Sequence, residues 1–284
     1  MDMNKPRTIG GRGRHIPGLI VCSLWCCMTF VILGYVLAAS LSTSRDIFMG
    51  TVFKYESGLH WENYAVAWSK QKLYLYFFNS LLYAAVAVVG GVGMAAPAAY
   101  VLSRYKFFGN SLIKRTLILC LSIPSILLIL PLYAMILKYD IQGRGALMFI
   151  YACMRVPYST IFLLNFFETI SRTYEEAAAI DGCPSGKIFT KIMLPMVKPA
   201  IATICLFGFI GVLNEYMICL LLIPSGDAMS LGVGLSRAIK ALQYVGNYPG
   251  IFAAVVIAVA PSIALFAIFS RKIMFGGMGG GIKG

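Results

Sequence analysis

The chain alternates long apolar runs with shorter polar and charged intervals. Six runs stand out, at 16–39, 76–102, 117–137, 146–167, 200–223 and 249–269. A helix needs about 20 largely apolar residues to cross the hydrocarbon core of a bilayer, and each run is about that long. The first is uncharged and about 36 Å long at about 1.5 Å per residue. A basic start before an apolar run is also the form of a signal peptide, but this run is too long and no clear small-residue cleavage site follows, so a retained anchor is expected. In the second run Ala87, Gly91, Ala95 and Ala99 recur every four residues, a small-residue stripe for close helix contact, and Pro97 predicts a kink. The third run holds Pro124 and Pro131 and predicts one bent helix. Around these spans the pattern leaves a tail at 1–15, an external loop at 40–75 with Trp61 and Tyr64 suited to a membrane interface, a polar loop at 172–198, an outer loop at 224–248 and a tail at 273–284. The expectation is an all-α membrane protein of six transmembrane helices, its core at 76–272.

Composition narrows the class. With 59% hydrophobic residues and a mean hydropathy of +0.80, the chain is too apolar for a soluble domain. A net charge of +13 raises nucleic-acid binding, and the placement of the charges answers it. The terminal side of the spans carries four, four, four and three Lys or Arg in its successive segments, the other side four, two and two, and Arg155 lies inside a span. The excess marks both termini and the 172–198 loop as cytoplasmic, so topology accounts for the charge and no nucleic-acid partner is expected. The eight Cys lie in apolar runs, except Cys183 in the polar loop, and only His15 and His60 accompany them. That pattern predicts buried free thiols rather than a metal site.

The polar loop carries strong local signals. Thr173 and Glu176 have the spacing of a capping box, and Glu175 and Glu176 sit in a first turn that favours negative charge. Ala177–Ala179 favours helix, Gly182 suits a left-handed cap, and Pro184 suits the first turn of a second helix. Ile188, Phe189, Ile192 and Met193 share one face of that helix, which Pro195 and Pro199 are expected to end. The string EEAAAIDG, followed by F, LP and KPAI, resembles the signature loop of permease subunits of binding-protein-dependent ABC importers. It is most similar to the G-type permease of maltose-type carbohydrate systems. HWENY and FFNSLLYA before the second span, AAYVLSRYKFFGN after it, and the terminal GGGIKG resemble that branch too.

The resemblance implies the type I importer (MetI-like) fold, half of an alternating-access pathway for a sugar in a bacterial or archaeal cell membrane. It implies a second homologous permease, a cytoplasmic ATPase dimer that binds ATP and Mg, and an external sugar-binding protein. The chain itself would bind no cofactor or metal and would catalyse nothing. By the same resemblance Glu175, Glu176, Ala177, Ala178, Asp181 and Gly182 form the ATPase-coupling site. Glu176 would pair with a basic residue, Ala177 and Ala178 would fill a groove, and Gly182 would permit the turn. An amphipathic helix lying on lipid is the alternative, which the acidic first turn disfavours.

Other chemistries find little support. GCPSGK at 182–187 is one residue short of a phosphate loop and lacks its last Ser or Thr. Gly91, Gly93 and Ala96 mimic a dinucleotide fingerprint without its preceding strand. A secondary carrier would show inverted repeats and coupling ionisable groups; an intramembrane enzyme would need catalytic residues that are not evident. The ionisable residues deep in spans are Arg155 and Glu215, the latter beside Asn214. These three are the translocation-path candidates. Arg155 and Glu215 lie at similar depths, about 13 and 12 Å by helix rise, and are expected to form an ion pair or to share water. The alternative is a separate partner for each, Glu215 facing the second permease.

Overall fold

The computed structural model describes residues 16–55 and 58–278. The basic tail with Lys5, Arg7, Arg12 and Arg14, and the final residues 279–284, lie outside the described residues. The main helices in chain order are α1 (Ile16–Ser40), α2 (Leu73–Arg104), α3 (Asn110–Ser122), α4 (Ile129–Tyr139), α5 (Gly143–Thr169), α6 (Thr173–Ile180), α7 (Lys198–Leu213), α8 (Met217–Leu222), α9 (Leu231–Tyr244) and α10 (Tyr248–Met278). Helices α1, α2, α5 and α10 are each long and apolar enough to cross a membrane. Two bent pairs are also long and apolar enough when each is taken together, which makes six candidate spans with each pair counted as one. The first is α3 with the stretch Ser125–Tyr139, and the second is the stretch Ser185–Met196 with α7.

Helices α2 and α5 form the most extensive contact, α7 packs on α2, and α1 leans on α10. The small-residue stripe explains the first of these. Ala87, Gly91, Ala95 and Ala99 are all buried, and a Cβ on Gly91 would sit 2.7 Å from the Arg155 Cβ and 3.0 Å from the Ala152 carbonyl oxygen. Gly91→Ala should push the two helices apart at a cost of about 1–3 kcal/mol, the range for overpacking. The expected result is a melting temperature lowered by several degrees in detergent; an unchanged melt would show that the interface yields without cost.

The third span is not one bent helix. It breaks by 95° between α3 and the helical stretch that follows. Ile123 precedes a proline and is driven to extended backbone, φ −83° and ψ 115°. Pro124 follows, then a 3₁₀ turn at Ser125–Leu128. Pro131 lies in the first turn of α4, where a missing N–H is harmless, so one proline makes the break. Pro97 and Pro157, by contrast, sit inside unbroken helices. The fifth span also departs from the expected continuous 200–223 run: α7 ends at Leu213 and α8 begins at Met217.

The 40–75 and 224–248 segments are more ordered than loops. Within the 224–248 loop α9 forms, capped by the Ser230 hydroxyl and burying Leu231, Ala238 and Leu242 at helical spacing. FFNSLLYA holds the segment before it. The Asn79 amide donates to the carbonyls of Asp227 (2.8 Å) and Met229 (3.0 Å), and the Tyr83 hydroxyl donates to that of Ala228 (2.6 Å). The Ser80 hydroxyl accepts from the Leu231 N–H. In the 40–75 interval Thr43 and Asp46 form a reciprocal capping box on a short helix, Ser44–Met49. Trp61 is exposed, and the Tyr64 hydroxyl shares a 2.7 Å hydrogen bond with Ser40. The thiols correct another expectation. All eight are free, but only Cys219 is buried, while Cys22, Cys26, Cys27, Cys120 and Cys153 lie on exposed helix faces. Apolar runs in a membrane face lipid as well as core, so run membership alone does not imply burial.

Candidate functional site: a two-faced polar loop and a cavity

The 172–198 loop has two faces. Helix α6 starts at Thr173, which is already helical, so the expected Thr173–Glu176 capping box does not form. The Ser171 hydroxyl accepts from the Thr173 N–H instead, and the Arg172 carbonyl accepts from Glu175 and Glu176. At the other end Gly182 takes φ +75°. The Cys183 N–H donates to the Ala178 carbonyl and the Gly182 N–H to that of Ala179, the two bonds of a Schellman motif. Pro184 then sits just ahead of the next helical stretch rather than within its first turn. Ile188 and Met193 are buried there, with Phe189 and Ile192 packed beside them. Pro195 does not end this stretch, which runs to Met196 before Val197 makes the turn into α7.

The signature residues divide between the faces. Glu176, Ala177, Asp181 and Gly182 are exposed, as is Ile180, 86% accessible. Ala178 is buried against the bundle, and Glu175 turns inward to Arg104 at the end of α2, 3.0 Å from Nε. The Arg104 Nη2 donates to the Ile170 carbonyl at the end of α5, and Tyr100 stacks beside Phe189 at 5.0 Å. Thus Glu175 and Ala178 bind the loop to its own bundle, while the other four signature residues and Ile180 present a surface.

The second feature is a cavity of about 510 Å³. It is lined where both broken spans meet α5: Ser125 and Ile126 from the first break, Tyr151 and Arg155 from α5, and Asn214 and Glu215 from the second. Non-helical backbone at membrane depth is tolerated where protein buries it or water reaches it, which a cavity allows. Glu215 caps α8, its carboxylate accepting from the Ile218 N–H at 2.7 Å and the Cys219 N–H at 3.2 Å. The Tyr151 hydroxyl donates to the same carboxylate. The Asn214 amide donates back to the Ile210 carbonyl, closing the end of α7. All three path candidates therefore line one cavity. Among the described residues, however, Arg155 forms no ion pair with Glu215, whose carboxylate is already occupied.

The family model described as "Binding-protein-dependent transport system inner membrane component" matches residues 73–273, which include both features. The chain belongs to that family. The permease is 30% identical over 251 residues to the diacetylchitobiose uptake system permease protein NgcG of Streptomyces coelicolor, covering 88% of this chain and 83% of that one. It is 30% identical over 275 residues to the trehalose/maltose transport system permease protein MalG of Thermococcus litoralis, covering 95% and 96%. Its fold matches a chain in the crystal structure of a bacterial ABC transporter involved in the import of the acidic polysaccharide alginate, with a TM-score of 0.78 at 22% identity and coverage of 94% and 99%. The all-helical architecture is thus the type I importer permease fold, and the chain is a multi-pass membrane transport subunit.

Three residues central to this geometry were not singled out as site residues from the sequence. Tyr151 lies four residues before Arg155, on the same helix face, so the pair was legible once Arg155 was chosen. Ile180 was visible as an apolar residue in a polar loop. Arg104 carried no local sign that it reaches Glu175, which lies 71 positions along the chain.

Proposed function

We propose that this chain is one of two permease subunits of an ATP-driven importer that brings a carbohydrate into a bacterial or archaeal cell. The supporting observation is the outward face of α6, held in shape by the Gly182 turn and anchored to the bundle through Glu175 and Ala178. Glu176, Ala177, Ile180 and Asp181 dock into a groove of a cytoplasmic ATPase dimer, which binds ATP and Mg. Carbohydrate as cargo rests on the relatives, named for diacetylchitobiose and trehalose/maltose uptake. A second permease completes the pathway, and an external binding protein delivers the sugar. Docking differs between ATP-bound and ATP-free states, and that difference shifts the bundle between outward and inward access. Arg155, Asn214 and Glu215 line the path.

Proteoliposomes containing this chain, the adjacent permease, the ATPase and the binding protein should accumulate the binding protein's sugar only with internal ATP. Accumulation driven by a proton or sodium gradient without ATP would replace the pump by a carrier. On a cysteine-free background, a cysteine at 187 should resist impermeant maleimide applied outside intact cells, while cysteines at 60 and 237 should react. Outside labelling at 187 would reverse the topology.

A further inference from the structure

Arg155 is the residue of the cavity that the fold accommodates without satisfying. Its side chain passes from α5 across two neighbouring helices that give it room by having no side chain there. A Cβ on Gly91 of α2 would lie 2.7 Å from the Arg155 Cβ. On Gly211 of α7 it would lie 2.3 Å from Nη2 and 3.0 Å from both Cζ and Nη1. The slot brings the guanidinium against Gly211, and Arg155 and Gly211 both line the cavity. Among the described residues no hydrogen bond or ion pair holds that guanidinium. Glu215, the acid within the same cavity, has its carboxylate engaged by Tyr151 and two backbone N–H groups. An arginine in this setting is costly without a counter-charge, and its planar fork matches a carboxylate or sulfate in a bidentate grip. The cavity, at about 510 Å³, lies in the range of small-molecule sites, about 300–1,000 Å³.

Resting on the sugar-import reading, we propose that Arg155 is a specificity-determining residue that receives an anionic substituent of the transported carbohydrate, a carboxylate or sulfate, as the substrate passes the broken spans. A neutral sugar supplies hydroxyls but leaves the guanidinium without a counter-charge. Glu215, fixed by its cap, disfavours an anion on its own side and directs the charged group toward Arg155.

The test uses the complete detergent-purified complex without nucleotide and saturation-transfer NMR, with glucuronate, glucose 6-sulfate and glucose as probes. Glucuronate or glucose 6-sulfate should give a signal at least about tenfold above glucose at equal concentration. Arg155→Gln should bring that signal to the glucose level and Arg155→Lys should keep part of it. Equal signals from all three probes, no signal from the anionic probes, or an unchanged signal in Arg155→Gln would each overturn the assignment. Loss of the second permease from the purified Arg155→Gln complex would also overturn it, making Arg155 an inter-subunit counter-charge. Mass spectrometry of the solute that co-purifies with the cognate binding protein separates this inference from the one beneath it. A neutral sugar sinks the charge assignment and leaves sugar import standing. An acidic solute that is not a carbohydrate sinks sugar import and leaves the role of Arg155 intact.

Discussion

Gly182→Val should leave the permease inserted in the membrane yet release the ATPase. Gly182 sits at φ +75°, and nothing lies within 4 Å of a Cβ built there, so the effect is one of backbone conformation, not crowding. A left-handed conformation costs an L-residue about 1–2 kcal/mol, and a β-branched side chain tolerates it least. The strain is relieved by undoing the Schellman turn, which frees the Ala178 and Ala179 carbonyls and rotates the end of α6 away from its anchored face. Exposed Ile180 and Asp181 lie on that last turn. ATPase co-purification and sugar uptake should both fall by about tenfold or more, since each 1.4 kcal/mol of docking energy is a factor of ten. Gly186→Ala is the control, because its Cβ also meets open space and its backbone is not left-handed. Glu176→Lys should reproduce the loss through charge alone. If Gly182→Val keeps the ATPase bound at wild-type yield with wild-type uptake, the exposed face of α6 is not the docking surface.

Breaking the Arg104–Glu175 pair should cost more in stability than any surface change in the loop. Their side chains are only 6% and 16% exposed, so neither charge is well solvated when alone. Removing one partner of a buried pair typically costs about 3–5 kcal/mol, because the other charge stays behind uncompensated. Arg104→Met leaves the Glu175 carboxylate with the Tyr100 hydroxyl but no counter-charge, and takes a donor from the Ile170 carbonyl. It should lower the melting temperature sharply and raise the ATP hydrolysed per sugar moved, since α6 loses its tie to the ends of α2 and α5. Replacing both partners by methionine should restore much of the melting temperature, as apolar replacement of whole buried pairs often does. Coupling should stay poor in the double variant, because the directional tie is gone. Additive losses in the double variant would show that the two residues act separately and that no latch exists.

What the sequence determined by itself was whatever depends on local order along the chain. Run length and charge placement gave the spans, because crossing a bilayer sets a minimum apolar length and few charges are tolerated within it. The Ala87–Ala99 stripe gave a face of α2 for close helix contact, because small residues at four-residue spacing fall on one face, while the structure supplied its partner, α5. Gly182 gave the turn, because few other residues adopt its conformation. The capping box shows the limit of such signals. The same pattern of hydroxyl and acid forms at Thr43–Asp46 and fails at Thr173–Glu176, where Thr173 is already helical and its N–H donates to the Ser171 hydroxyl. Pro124 made a break in the third span legible locally, but only the tertiary structure decided that the chain turns by 95° there and that the proline-free fifth span breaks after Leu213, because leaving the helix at membrane depth requires a cavity built by other segments. It also decided that Arg155 and Glu215 share that cavity without pairing. Depth along a helix is read from residue number, but the direction of a side chain around the helix is set by packing, here by Gly91 and Gly211 clearing a slot from two other helices.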